Sequence, residues 1–67
     1  MKKENYILLR NANRVKVLLM LGAMTYDEAL NHKAITDYEE MFNREAKQIA
    51  KLWGRKFYPF NKAKFLR

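Results

Sequence analysis

From Trp53 to Arg67 the sequence interleaves cations with rings: Trp53, Arg55, Lys56, Phe57, Tyr58, Phe60, Lys62, Lys64, Phe65 and Arg67. Lysine and arginine neutralise phosphates, and exposed rings stack on unpaired bases at about 1–3 kcal/mol per base. Just upstream, Arg44, Lys47 and Lys51 recur at spacings of three and four, which places them on one face of a helix. Arg44, Lys47, Lys51, Arg55, Lys56, Lys62, Lys64 and Arg67 are therefore the candidate contacts to an RNA or DNA backbone. Such contacts hold phosphates without selecting a sequence. The rings have a second reading, in which they fold back over the helices and complete a core. The two readings coexist if rings point inward and charges outward.

Other chemistry lacks its parts. The chain has no Ser and no Cys, and both Thr hydroxyls stand at capping positions, so no activated nucleophile is evident. A structural zinc site needs four Cys or His ligands, against the single His32. No Gly-rich phosphate loop or G-x-G-x-x-G fingerprint occurs. The carboxylate pairs Asp27/Glu28 and Glu39/Glu40 fall at expected helix starts, where capping and the helix dipole account for them. His32 reads as a solvated residue at the end of a short helix. The expectation is a non-enzymatic protein without a cofactor or a metal.

Size and charge bound the partners. A chain of 67 residues buries only about 60% of the surface it exposes when unfolded. Without disulfides or a metal, close helix packing or association must supply stability. The net charge is +7, unevenly spread: +4 over residues 1–23, −4 over 24–43 and +7 over 44–67. Two basic ends flank an acidic middle. Arg10, Arg14 and Lys16 interrupt any export signal, and the longest apolar run, Val17 to Met24, is too short to span a bilayer. Together with the absence of Cys, this points to the cytoplasm or to a virion assembled there.

The elements that must position these groups are helices. Thr25-Tyr-Asp-Glu28 and Thr36-Asp-Tyr-Glu39 both carry the capping-box spacing. They predict a short helix over 26–34 and a long one over 37–53, the latter with acids leading and bases ending. Tyr38, Phe42, Ile49 and Trp53 form the apolar stripe of the long helix, and Glu40 precedes Arg44 by four in the order that favours an ion pair. Glu45 falls within the stripe and calls for a cation or a route to solvent. Gly54 suits the left-handed residue beyond the C-terminus.

Residues 5–21 carry Leu8, Ala12, Val15 and Leu19 at helical period, and Val15-Lys-Val-Leu18 is also compatible with a strand. Helix is favoured because Gly22 and Thr25 look like one helix closing and another opening, an αα-hairpin. Leu9, Val17, Met20 and Leu21 then occupy the remaining faces and form a candidate protein-docking surface, for a larger assembly or for self-association. Pro59 favours extended backbone at the preceding residue, and Asn61 suits the cap of a last short turn.

The predicted fold is all-α. It is a small two- to three-helix unit, an αα-hairpin plus a long amphipathic helix, with an extended basic-aromatic tail over 55–67. The expected core is Leu8, Val15, Leu19, Leu30, Phe42, Ile49 and Trp53.

Two resemblances bear on function. Met24-Thr-Tyr-Asp-Glu-Ala-Leu30 followed by Ile35-Thr36 resembles the second helix and turn of winged-helix DNA-binding proteins, over about a fifth of the chain. Lys33 and Ala34 depart from that family's apolar residue and Gly. Asp37, Glu39 and Glu40 would set acids against phosphates where a recognition helix enters the groove. Met24–Leu30 together with Phe42-Asn-Arg-Glu-Ala-Lys-Gln-Ile-Ala-Lys51 resembles short uncharacterised reading frames of bacteriophages and related mobile elements. That resemblance implies a virion component or a phage-encoded modulator of a host machine. The favoured expectation is a structural or accessory component of a phage particle or ribonucleoprotein. The rival is a protein-docking module or inhibitor.

Overall fold

Helix α1 (Lys3–Met20) occupies the segment whose pattern also allowed a strand. The computed structural model describes residues 2–67 and continues with α2 (Tyr26–Leu30), α3 (Lys33–Leu52) and a single turn α4 (Lys62–Phe65). Among the described residues there is no strand. The winged-helix resemblance therefore finds no wing, and Ile35-Thr36 lies inside α3 rather than in a turn.

Both long helices end as their glycines predict. Gly22 and Gly54 adopt φ of +75° and +62°, a left-handed conformation that costs a residue with a Cβ. At each end the following amide closes back across the last turn. Ala23 N–H donates to the Leu18 carbonyl at 2.9 Å and Arg55 N–H to the Ala50 carbonyl at 2.8 Å. This is the Schellman closure.

Of the two expected capping boxes, one forms. Thr25 Oγ1 accepts from Glu28 N–H at 3.2 Å while Thr25 N–H donates to Glu28 Oε1 at 3.3 Å. Helix α2 stops at Leu30, four residues short of expectation. Thr36 caps nothing, because α3 starts at Lys33 and the Thr36 amide already donates to the His32 carbonyl at 3.1 Å. The cap is His32, whose Nδ1 accepts from Ala34 N–H at 3.1 Å. Its side chain is exposed, as expected, but it opens a helix as well as following one.

The earlier start has two causes. Lys33 and Asp37 pair at 2.7 Å across one helical turn, and this contact raises the lysine pKa through the hydrogen bond and the carboxylate charge. Starting at Lys33 also places Ile35 within the helix and in the core, fully buried. Consequently the first turn of α3 holds no acid, contrary to expectation, and Asp37, Glu39 and Glu40 sit in its second turn. Replacing Thr25 by Ala is expected to destabilise the fold by about 0.5–2 kcal/mol, the cost of a lost N-cap. Thr36→Ala should leave the denaturation midpoint within the range of an ordinary helical substitution, and chemical denaturation of the two variants checks the assignment.

Helices α1 and α3 run antiparallel. Ala12 and Val15 meet Ile35 in the core, while near the other end Asn5 Nδ2 donates to Glu45 Oε1 at 3.4 Å. Glu45 therefore takes an amide partner rather than a cation. The expected Glu40–Arg44 pair is also missing, since Lys33–Asp37 is the one ion pair among the described residues.

The core itself gathers Ala12, Val15, Ala29, Ile35 and Leu66, with Met41 buried farther along α3. Two alanines let the helices approach closely, so small residues carry much of this core. Of the expected core, Val15 is buried; Leu8, Leu19, Leu30 and Phe42 are half-buried; Ile49 and Trp53 are exposed. The reason is length. Asn5 already faces Glu45, so the last turns of α3 project past the start of α1 and their apolar stripe has no helix opposite.

The tail folds back. Phe60 N–H donates to Asn43 Oδ1 at 2.7 Å, and the Phe60 ring lies 5.2 to 5.5 Å from the rings of Tyr38, Phe42 and Phe65. Phe65 also stacks within 5.8 Å of Tyr38, and Lys16 Nζ sits 5.3 Å above it, a cation–π contact. Burial in this cluster raises the Tyr38 pKa. Asn61 Oδ1 accepts from Lys64 N–H at 3.0 Å and caps α4, as its place before the last turn suggested.

Candidate nucleic-acid interface

The row Asn43, Lys47, Lys51 runs along one side of α3 at intervals of four residues, with Arg44 beside it. Arg44, Lys47 and Lys51 are exposed, as are Arg55 and Lys56 where the chain turns back after Gly54. None of the five pairs with a carboxylate among the described residues. Because Phe60 is tied to Asn43, residues 55–59 run back along α3, where residues 55–58 share a groove with Phe42, Ala46, Ile49 and Ala50.

The eight candidate cations thus divide into two groups. Arg44, Lys47, Lys51, Arg55 and Lys56 gather around the C-terminal half of α3. Lys62, Lys64 and Arg67 follow the tail toward the core, where Leu66 is buried and Phe65 meets Lys16. Lys62 is half-buried there. The antiparallel arrangement supplies two cations that sequence reasoning left out, Lys2 and Lys3, both exposed at the start of α1, near the end of α3. Their signal was the +4 charge of the first 23 residues; only the helix pairing shows which end of the molecule they reach.

One end of the molecule is therefore basic. The other carries Asp27 and Glu28 of α2 and Asp37, Glu39 and Glu40 of the second turn of α3, interspersed with Lys33 and the tail cations. The long axis of the molecule is 41 Å, well beyond the Debye length of about 8 Å at physiological ionic strength. An approaching polyanion at that salt therefore meets the basic end without feeling the carboxylates of the other.

The rings separate in the same way. Phe60 and Phe65 are in the aromatic cluster and Phe57 is half-buried, whereas Trp53 and Tyr58 are 69% and 70% exposed. Lys56 Nζ lies 5.6 Å from the Tyr58 ring centre. Between the tail and α3 lies an open groove of about 570 Å³, lined by Met41, Phe42, Ala46, Ile49, Phe57 and Tyr58 among others, with Arg55 and Lys56 also bordering it. Flat exposed rings beside unpaired cations can stack on bases while phosphates are neutralised.

Of the candidate docking residues, Val17 and Met20 are exposed on α1, Leu21 is exposed just beyond its end, and Leu9 is half-buried. Among the described residues no helix is long and apolar enough to cross a membrane. The chain matches no protein-family model, no curated protein and no solved structure.

Proposed function

We propose that this protein is a non-enzymatic component of a nucleic-acid-containing assembly, holding single-stranded RNA or DNA at the basic end of α3 without sequence preference. The observation that carries this reading is the conjunction of exposed, unpaired Arg44, Lys47, Lys51, Arg55 and Lys56 with exposed Trp53 and Tyr58. Cations alone would serve solubility as well as binding. Large rings left in solvent among them add a base-stacking surface that solubility does not need.

Trp53 is the only tryptophan, so its fluorescence reports the contact directly. Titration with single-stranded oligouridylate and oligothymidylate should quench it, with affinity falling steeply from low to moderate salt. Trp53→Ala should weaken binding while leaving the circular dichroism spectrum unchanged. An affinity indifferent to salt, or no binding at low salt, overturns the reading.

A further inference from the structure

The end of α3 leaves apolar surface in solvent that strand binding does not use. Ile49 and Leu52 of α3 and its C-cap Trp53 stand three and four residues apart, so they share one helix face. They are 56%, 80% and 69% exposed, and Tyr58, which lines the same groove as Ile49, is 70% exposed. Trp53 and Tyr58 can stack on bases, but Ile49 and Leu52 have no ring to offer. Aliphatic side chains gain by leaving water for hydrocarbon. An exposed apolar patch with a charged rim marks a docking surface for a protein or a membrane.

We infer that this end of the protein seats in the surface of an anionic lipid bilayer, with Leu52 and Trp53 at the acyl boundary and the surrounding lysines and arginine among the headgroups. The residue types fit that zone. Trp and Tyr carry an apolar body and a polar tip and settle at headgroup level, while Lys and Arg keep their stems in apolar surroundings and extend their charges to phosphates.

Charge and shape favour this occupant. Lys2, Lys3, Lys51, Arg55 and Lys56 are exposed at this end, and the carboxylates there are Glu4 and Glu45, the latter half-buried and bonded to Asn5. The excess is positive, and each cation near an anionic surface strengthens attachment about fivefold. The last turns of α3 also project past the start of α1, at the end of a molecule 41 Å long and 24 by 15 Å across. A bilayer surface yields to such a projecting end, whereas a folded protein must present a matching hollow. No helix among the described residues is long and apolar enough to cross the membrane. The contact is peripheral, and it needs apolar burial and charge together.

The test uses the full, nuclease-treated protein with vesicles of phosphatidylcholine alone and of phosphatidylcholine mixed equally with phosphatidylglycerol. Co-sedimentation should favour the anionic vesicles by about tenfold or more. On these vesicles Trp53, the only tryptophan, should shift its emission to the blue and be quenched by lipids brominated along the acyl chain. Leu52→Gln should weaken vesicle binding by about tenfold, with helix content and oligonucleotide affinity unchanged. Val17→Gln, at an exposed apolar position on α1, should leave vesicle binding as it was. Equal retention on both kinds of vesicle, no quenching by brominated lipid, or a Leu52→Gln protein that binds vesicles as tightly as its parent overturns the inference. So does a loss on Val17→Gln as large as that on Leu52→Gln, which moves the contact to α1. Vesicle and oligonucleotide binding are measured separately, so this inference and the strand-binding reading fail independently.

Discussion

Reversing Lys47 and Lys51 together to Glu is expected to lower affinity for single-stranded RNA and DNA of any sequence by about tenfold or more at physiological salt, and to flatten the salt dependence. Each phosphate contact on a single strand contributes about 0.7 to the slope of log affinity against log salt. Two lost contacts thus reduce the slope by about 1.4. The fold should tolerate the change, since both side chains are exposed and neither pairs with a carboxylate among the described residues. Lys51 does stand in the last turn of α3, where a negative charge opposes the helix dipole by about 0.3–1 kcal/mol. Lys47→Gln with Lys51→Gln therefore serves as a control, removing the contacts without that penalty. An unchanged affinity in both double variants removes this face of α3 from the interface.

Replacing Leu66 by Ala is expected to cost about 2–5 kcal/mol, the usual range for emptying a buried leucine position. A domain of this length has a total stability of only about 3–10 kcal/mol, so thermal or chemical denaturation should show a large loss of cooperativity or a protein partly unfolded at room temperature. The effect is large because Leu66, at 3% exposure, is one of the few large side chains in the core. It also holds Phe65 against Tyr38 and Lys16. Removing it should release the tail and expose the ring cluster. Trp53→Ala makes the contrast, since a large but exposed ring contributes little to packing. Near-wild-type stability for Leu66→Ala would show that the tail is not part of the core.

Local chemistry was enough to determine much of this protein. The Thr25–Glu28 box, the two left-handed glycines, the Asn61 cap and the helical period of residues 5–21 each rest on contacts within a few residues, so they were legible directly. The identity of the exposed cations on α3 was legible for the same reason, since spacings of three and four fix a helix face whatever lies opposite. Tertiary structure decided what spacing cannot encode, namely which apolar stripe finds a cover and where. Thr36 lost its cap because burying Ile35 and pairing Lys33 with Asp37 favoured an earlier start, with the His32 ring supplying the acceptor. Ile49 and Trp53 lie on or near an apolar stripe yet stay in solvent, because the start of α1 falls short of them. Phe60 and Phe65 went inward and Trp53 and Tyr58 outward, a division set by the turn at Gly54 and the Asn43 bond to Phe60. That return path split the basic residues into two groups and placed Leu66, next to the last residue of the chain, in the core.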